Sequence, residues 1–245
     1  MLSRNTVKYI QSLTHKKFRN SSSAFIAETP KVVEEFLNSS FRVEHIYATE
    51  HWQAPDKYDK ELSHLPITII TQADLEKISQ LKTPHDVLAV IRIPDAQPPA
   101  TVKGKISLAL DGVQDPGNVG TIIRIADWFG VEDIFCSRET ADAYNPKVVQ
   151  ATMGSLAHVR LHYTDLEKFL KTSDVESIAT TLNGSSLYDC APLQEGILVI
   201  GNESAGISES ILEVSQRQLT IPRRGKAESL NAAVAAAIFL SHLSG

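Results

Sequence analysis

The feature that most constrains this chain is a regular alternation of strand-like and helix-like segments across residues 105–245. The strand-like runs are short and apolar on both faces, which is typical of strands in a parallel sheet with helices on both sides. These runs cover residues 106–110, 134–136, 158–161, 177–182, 197–200 and 218–221. Because such sheets bind ligands beyond the carboxyl ends of their strands, the loops at that edge are the candidate site.

A proline-rich stretch precedes this region. Residues 94–100 contain three prolines and no apolar periodicity, as in a stiff, extended linker. Before it, strand-like runs alternate with helix-like ones, and Pro30 lies where the first turn of a helix accepts proline. The sequence therefore predicts a small α/β domain, a linker and a larger α/β domain. Their predicted boundaries are residues 1–95, 96–104 and 105–245.

The charge of the chain is unevenly distributed. The formal net charge of -5 argues at first against a nucleic-acid partner. However, residues 105–245 contain 17 acidic and 11 basic side chains, whereas residues 1–104 contain 12 acidic and 13 basic ones. The first 27 residues have no carboxylate side chain and five basic ones, namely Arg4, Lys8, Lys16, Lys17 and Arg19. Composition alone leaves open whether these form a solvated helix face or a basic arm for a polyanion.

Several classes of protein and site are disfavoured. No apolar run approaches the ~18–20 residues of a membrane-spanning helix, and the first residues lack the apolar stretch of a secretory signal, so we expect no membrane partner. The two cysteines, Cys136 and Cys190, give neither a disulfide framework nor zinc-ligand spacing, which predicts a cytoplasmic location. The motifs GxSxG and HExxH are missing, and we expect no metal site.

The first candidate loop has three glycines between a strand and a helix, so a ligand can approach its backbone closely. It is not a phosphate-binding P-loop, because Asn118 begins the dipeptide where Lys and Ser/Thr are required. The fingerprint GxGxxG is missing throughout, which disfavours a dinucleotide-dependent oxidoreductase. In the helix predicted over 119–129, Arg124 lies off the buried stripe and is either a functional residue or a surface arginine paired with Asp127.

Two further candidate loops follow later strands. In the loop that begins at Gly201, Glu203 is either a functional carboxylate or a helix-capping group. The third loop leads into the final helix, which is predicted to begin at Leu230 with Ser229 as its N-cap. Three basic side chains in this loop either hold phosphates or form a solvated turn; they are Arg223, Arg224 and Lys226.

Taken together, the three loops resemble the SpoU (TrmH) family of S-adenosylmethionine-dependent RNA 2′-O-ribose methyltransferases, which belongs to the SPOUT superfamily. The resemblance rests on three motifs in order: Asn118…Arg124, Gly201-Asn-Glu203-x-x-Gly206 and Ile221-Pro…Ser229-Leu-Asn231. The first part of the chain resembles, less closely, the substrate-binding domain similar to ribosomal protein L30e that many members carry. Where relatives usually have Glu-Gly at the first strand end, this chain has Glu28-Thr29-Pro30.

This resemblance implies a fold and an assembly. The catalytic domain would contain a deep C-terminal trefoil knot, an exception to the usual rule against threaded chains. Members of the family are dimers in which motif residues of the partner complete each site. The resemblance therefore implies a homodimer through the C-terminal domain.

The resemblance also implies roles for individual residues. Backbone groups would hold the adenosine part of S-adenosylmethionine at Leu182, Gly201, Ile221 and Leu230. Arg124 would activate the ribose hydroxyl, and Glu203 would hold Arg124 or Asn118 in place. The full set of implied catalytic residues is Arg124, Asn118, Glu203, Ser229 and Asn231.

The predicted function is transfer of a methyl group from S-adenosylmethionine to a ribose 2′-hydroxyl in structured RNA. A separate N-terminal domain favours ribosomal RNA (23S), because relatives that act on tRNA more often have short basic helical extensions. A tRNA 2′-O-methyltransferase and a non-catalytic RNA-binding protein on the same fold are the alternatives. The predicted RNA contacts are Lys16, Lys17, Arg19, Arg223, Arg224 and Lys226.

Overall fold

The computed structural model describes residues 1–53, 58, 62–95, 98–99 and 101–244. The chain divides into two compact units. Unit 1 comprises Met1–Asp95 and Asp142–Ala157, and unit 2 comprises Ala96–Ala141 and His158–Gly245. Residues 96, 97 and 100 of the predicted linker lie outside the described residues.

Unit 1 is built on a mixed four-stranded sheet. Its strand order is β1-β4-β2-β3, in which β2 and β3 are parallel and the other neighbours are antiparallel. Helix α3 begins at a proline, as the sequence predicts. The elements up to residue 95 are α1 (Arg4–Ser12), α2 (Lys16–Ser22), β1 (Ala24–Glu28), α3 (Pro30–Leu37), β2 (Val43–Ala48), β3 (Ile67–Ile69), α4 (Gln72–Ile78) and β4 (Val87–Arg92).

Unit 2 contains the predicted parallel sheet. All neighbouring pairs of its six strands are parallel, and the order is β10-β8-β9-β5-β6-β7. The remaining elements are β5 (Ile106–Asp111), α5 (Pro116–Trp128), β6 (Asp133–Cys136), α6 (Pro146–Ala151, in unit 1), β7 (Arg160–Tyr163), α7 (Leu166–Thr172), β8 (Ser177–Ser186), β9 (Gly196–Gly201), α8 (Glu209–Val214), β10 (Arg217–Thr220) and α9 (Ala232–Leu243). Every predicted strand-like run corresponds to a strand, with β7 starting two residues later than predicted. The trefoil knot stays a prediction, because strand order does not specify threading.

The segment Asp142–Ala157 departs from the predicted boundaries, because it belongs to unit 1 although the sequence places it in the C-terminal domain. The ring of Tyr144 packs on Phe25 of β1 with 4.9 Å between ring centroids. The backbone of Gly154 lies so close to Glu35 that a Cβ there would be 2.5 Å from the Glu35 Cγ. These contacts between distant parts of the sequence leave no local signal, so the alternation of strands and helices does not reveal them.

Arg19 has a structural role in unit 1, which corrects its prediction as an RNA contact. Its side chain is buried. The guanidinium donates to the backbone oxygens of Leu13 and Thr14, both at 2.9 Å, and forms an ion pair with Asp142. The guanidinium thus makes its hydrogen bonds within unit 1, and Arg19 links α2 to the segment Asp142–Ala157.

Thr29 adopts an unusual backbone conformation between β1 and α3. Its φ is 81°, in the left-handed region that favours glycine and that a β-branched residue rarely adopts. It is also the position at which members of the family that this chain resembles usually have glycine. The backbone of Thr29 is therefore strained, at a cost on the order of 1–3 kcal/mol of folding free energy.

We expect Thr29→Gly to raise the free energy of unfolding by about 1 kcal/mol, because relief of strain exceeds the entropy that glycine loses on folding. Urea unfolding followed by circular dichroism measures the change. Thr14→Gly is the matched control, because Thr14 has no positive φ and glycine there should only destabilise. A lower stability of Thr29→Gly than of the unaltered protein would contradict this account.

Candidate functional site

Three loops of unit 2 lie at the carboxyl edge of its parallel sheet, where such sheets place their ligands. Loop 1 comprises residues 112–115, loop 2 comprises residues 202–208, and loop 3 comprises residues 221–231. Strands β5 and β9 are neighbours, and their last residues, Asp111 and Gly201, are paired. Loops 1 and 2 therefore begin side by side.

Two polar side chains at these strand ends fix the paths of loops 1 and 2. Oδ2 of Asp111 accepts a hydrogen bond from the backbone N–H of Ser208 at 2.7 Å. The Asn202 side chain donates to the backbone oxygen of Gly112 at 2.7 Å and accepts from the N–H of Ser204 at 2.9 Å. The sequence assigns no role to Asp111, and Asn202 enters there only as a residue of the second motif. Their signal is an Asp or Asn at the end of a strand, where such side chains stabilise turns.

Gly201 is required by a close approach of two backbone segments. A Cβ at this position would lie 2.4 Å from the carbonyl carbon of Gly206 and 2.4 Å from the nitrogen of Ile207. Such distances are far below van der Waals contact, so no larger residue fits without a shift of loop 2. The glycine predicted from the motif is thus needed for the fold of the loop as well as for any approach of a ligand.

The Glu203 carboxylate joins loop 2 to loop 1. Its Oε1 accepts from Nδ2 of Asn118 at 2.8 Å and from the N–H of Asp115 at 3.3 Å, and its Oε2 accepts from the N–H of Gln114 at 3.4 Å. Burial acts to raise the pKa of Glu203, but these hydrogen bonds outweigh it and hold the pKa below its ordinary value. The alternative interpretation, in which Glu203 caps the next helix, is wrong, because Ser208 is the N-cap residue of α8.

Asn231 adds loop 3 to the same network. Its Nδ2 donates to Oδ1 of Asn118 at 2.8 Å, while its Oδ1 accepts from the N–H groups of Ala233 and Val234 at 2.9 and 3.2 Å. A single chain of hydrogen bonds therefore runs from Glu203 through Asn118 to Asn231. Asn118 is itself fixed by α5, because its N–H donates to the N-cap side chain of that helix at 2.8 Å.

The last helix begins later than the sequence predicts. Asn231 is its N-cap residue, and α9 starts at Ala232 rather than at Leu230. The prediction of Ser229 as the N-cap is therefore wrong. Ser229 is exposed, and within the described residues its hydroxyl makes no hydrogen bond.

Arg124 lies on α5 but outside the hydrogen-bonded network. It lies six positions after Asn118, which is about 9 Å along the helix axis. It is exposed, and its guanidinium makes no hydrogen bond or ion pair within the described part of the chain. The alternative of a pair with Asp127 is therefore wrong. Glu203 holds Asn118 and not Arg124, which decides between the two expectations for that carboxylate.

The four positions implied for the cofactor lie on different elements. Gly201 is the last residue of β9, Ile221 directly follows β10, Leu230 lies in loop 3, and Leu182 lies within β8. Residues 180–184 of β8 form an excursion that is not paired with β10, since Ala179 and Ser185 pair with consecutive residues of that strand. The backbone oxygen of Leu182, in this excursion, accepts a hydrogen bond from Oγ1 of Thr220 at 3.3 Å. Leu182 and Leu230 present exposed apolar side chains. The buried Oγ1 of Thr181, in the same excursion, has no partner among the described residues. Exposed apolar side chains and an unpartnered polar atom are both features that fit an adenosine, whose ring needs an apolar slot and hydrogen-bond partners.

The basic side chains of loop 3 remain available to a ligand. Arg223, Arg224 and Lys226 are all exposed, and Nη1 of Arg223 donates to the oxygen of Ala227 at 3.3 Å. In unit 1, Lys16 and Lys17 are also exposed. The side chains of these five residues are therefore accessible from solvent.

In the part of the chain that the structure describes, no group of three or more His, Cys, Asp or Glu side chains is arranged to hold a metal ion. Over the same residues, no helix has the length and apolar character needed to cross a membrane.

Family models match both parts of the chain. The model of the SpoU rRNA Methylase family matches residues 105–241, and the model of the MRM3-like substrate binding domain matches residues 4–89. The resemblance of the three loops and that of the N-terminal part are thereby confirmed.

Similar proteins match over nearly the whole length. The 23S rRNA (guanosine(2553)-2'-O)-methyltransferase RlmP of Bacillus subtilis is 33% identical over 243 residues, which cover 98% of this chain and 96% of the relative. A solved structure of a TrmH-family protein from Porphyromonas gingivalis is 36% identical, with a TM-score of 0.86 over 99% of this chain and 98% of the other. An AdoMet-bound rRNA methyltransferase from Sinorhizobium meliloti is 27% identical, with a TM-score of 0.85 over 99% and 95%. The chain belongs to the SpoU rRNA methylase family.

Proposed function

We propose that this chain methylates a ribose 2′-hydroxyl in 23S ribosomal RNA, with S-adenosylmethionine as the methyl donor. The observation that carries the proposal is the bonded chain of Glu203, Asn118 and Asn231, one residue from each family motif. The relative named as a 23S rRNA methyltransferase matches along 98% of this chain, which supports ribosomal RNA over tRNA. The intact network argues against a non-catalytic RNA-binding protein.

Bound S-adenosylmethionine supplies a methyl group on a positively charged sulfur, which is already a strong electrophile. The protein has mainly to align the ribose hydroxyl with that methyl group, and alignment alone contributes on the order of 7–11 kcal/mol in well-oriented reactions. Backbone groups near Leu182, Gly201, Ile221 and Leu230 hold the cofactor. Small or apolar residues at these positions fit an adenosine, whose ring needs an apolar slot and backbone hydrogen-bond partners.

Arg124 is the residue that meets the ribose. An arginine side chain donates hydrogen bonds and accepts none, so Arg124 orients the hydroxyl and a neighbouring phosphate. The hydroxyl proton passes to water as the bond between the methyl group and the sulfur breaks. Its exposure and its lack of partners among the described residues support this role, because a structural arginine normally has intrachain acceptors. Ser229, which is also exposed and unbonded within the described residues, is positioned for contact with a ligand or a second copy.

Glu203 acts as a positioning residue. Both of its carboxylate oxygens accept N–H groups of loop 1, so its charge is used to fix that loop and Asn118. The RNA backbone is held by exposed cations of both units. These are Lys16, Lys17, Arg223, Arg224 and Lys226, and Arg19 is excluded from the set by its burial.

A second copy of the chain completes the assembly. Unit 2 leaves exposed the large apolar side chains of Trp128, Leu182, Tyr188, Leu230 and Val234, although burial of such groups is favourable by roughly 1.5–3 kcal/mol each. Trp128 follows Arg124 by one helical turn on α5, so a partner that covers it also reaches the arginine. A homodimer through unit 2 accounts for both observations.

A cytoplasmic location accompanies this function. Both cysteines are free thiols, and burial raises the pKa of the Cys136 thiol, which keeps it unreactive. Free thiols are the ordinary state of cysteine in a reducing compartment.

Methyl transfer from labelled S-adenosylmethionine to a 23S rRNA transcript tests the proposal. We expect Arg124→Ala to lower kcat by about 100- to 1000-fold, the usual loss for one group aimed at the reacting atoms, and to leave calorimetric cofactor binding unchanged. Lys168→Ala, which removes a charge from the exposed face of α7, is the control and should retain activity. Near-normal kcat in Arg124→Ala, or label in tRNA and not in 23S rRNA, would overturn the proposal.

Glu203→Gln should lower kcat by about 10- to 100-fold, because hydrogen bonds to a charged group contribute ~1.5–3 kcal/mol and glutamine turns an N–H toward loop 1. The pKa of Glu203 is lowered in the folded protein. The stabilisation that its ionised carboxylate gives to loop 1 is therefore complete above the ordinary pKa range of a carboxyl group, and it is lost as the pH falls through the lowered pKa. The unaltered enzyme should therefore show an acid-side loss of kcat below that range, and the variant should not. Glu209→Gln is the control for charge, and a variant with the normal pH profile would contradict the role.

We expect Val234→Glu to convert the dimer into a monomer, because a charge replaces an apolar contact on the exposed face of α9. Sedimentation equilibrium at micromolar protein measures the mass. Ser210→Glu, which adds the same charge on α8, should remain dimeric. An unaltered protein that sediments as a monomer would show that the dimer proposal is wrong.

A further inference from the structure

Unit 1 contains a surface cleft that none of the family motifs uses. Its volume is about 580 Å³, within the range of ~300–1,000 Å³ of small-molecule sites. The residues that line it include one with an aromatic ring, two with guanidinium groups, one with an amide and one with a carboxylate. These belong to Phe41, Arg42, Arg92, Asn20 and Asp95.

The walls of the cleft are held by aromatic packing and by a backbone hydrogen bond. Phe41 packs edge-on against Phe36 and Phe25, with ring centroids 5.1 and 6.0 Å apart, so its ring is anchored by the core. The backbone of Arg92 donates to the oxygen of Arg42 at 2.9 Å, which joins the two sides of the cleft. A ligand that enters therefore meets a preformed surface and orders little of the protein on binding.

The polar groups of the cleft divide into satisfied and unsatisfied ones. Arg92 forms an ion pair with Glu44 at 2.6 Å, so its charge is largely neutralised. Arg42 is exposed, and among the described residues its guanidinium has no hydrogen-bond or ion-pair partner. The side-chain amide of Asn20 likewise has none within that part of the chain. One unneutralised cation and one unpaired amide thus lie beside an anchored aromatic ring.

We propose that this cleft binds one unpaired nucleotide of the RNA substrate. The base contacts Phe41 and presents its hydrogen-bonding edge to Asn20 and Asp95, while its phosphate pairs with Arg42. A base inside a duplex cannot enter such a concave site, and recognition of RNA sequence generally uses unstacked bases beside aromatic and arginine side chains. The proposal rests on the proposed function, which makes RNA the substrate, and adds a site that selects an unpaired position.

The test compares binding of two fluorescently labelled RNAs, a single-stranded oligonucleotide of mixed sequence and a blunt duplex of the same length. We expect Arg42→Ala to weaken single-strand binding by about tenfold and to reduce the slope of log affinity against log salt by roughly 0.7, the value for one phosphate contact. Asn20→Ala should weaken the same binding by about threefold to tenfold without changing the slope, because an amide carries no charge. Neither variant should change binding of the duplex.

Lys31→Ala, an exposed charge of α3 outside the cleft, is the matched control and should leave both affinities unchanged. An Arg42→Ala protein that binds the single strand normally, or that loses duplex binding to the same extent, overturns the cleft. Cofactor affinity, measured by calorimetry, should be equal in all variants. If Arg42→Ala loses single-strand binding as expected but the unaltered protein transfers no methyl group to RNA, the proposed function fails while the cleft is supported. Normal methyl transfer, combined with an Arg42→Ala substitution that changes no RNA affinity, supports the proposed function and overturns the cleft.

Discussion

The Glu203 carboxylate accepts hydrogen bonds from the Asn118 side chain and from the backbone of Gln114 and Asp115, and the arrangement of the site depends on it. Loops are the least constrained parts of a parallel α/β sheet, and here three of them must meet at one edge. A charged acceptor is suited to this task, because hydrogen bonds to ionised groups are roughly twice as strong as neutral ones. Asn118 in turn accepts a hydrogen bond from Asn231, whose side-chain oxygen accepts from the first turn of α9, so the position of Glu203 also affects the start of that helix.

Much of the architecture of unit 2 could be predicted from its sequence, because strands buried on both faces read as short apolar runs. The errors arise where tertiary contacts override local preference. Ser229 and Asn231 are both good N-cap residues, and the bond from Asn231 to Asn118 fixes the later one at the helix start. The segment Asp142–Ala157 joins unit 1 through contacts to residues more than 100 positions away, such as that between Arg19 and Asp142, which no periodicity records.

The residue types of the site could be predicted, but their connections could not. The motif spacing identifies Asn118, Glu203 and Asn231, yet the sequence leaves open whether Glu203 holds Arg124 or Asn118. In the structure Glu203 holds Asn118, because Nδ2 of Asn118 donates a hydrogen bond to Oε1 of Glu203 at 2.8 Å. Asp111 could not be singled out because an Asp after a strand is common, and its bond to Ser208 only acquires meaning once β5 and β9 are known to be neighbours.

The same reasoning explains why bulk charge is a poor guide to RNA binding in this protein. A count of side chains treats Arg19, Arg92 and Arg42 as equal, yet Arg19 is buried in an ion pair and Arg92 is paired with Glu44. A cation already paired with a carboxylate contributes less to phosphate binding than an exposed cation without one, so Arg42 is the stronger candidate for a phosphate contact in unit 1's cleft. The net charge of -5 sums free and neutralised groups alike. Burial and pairing, rather than composition, therefore determine where this chain can hold a phosphate.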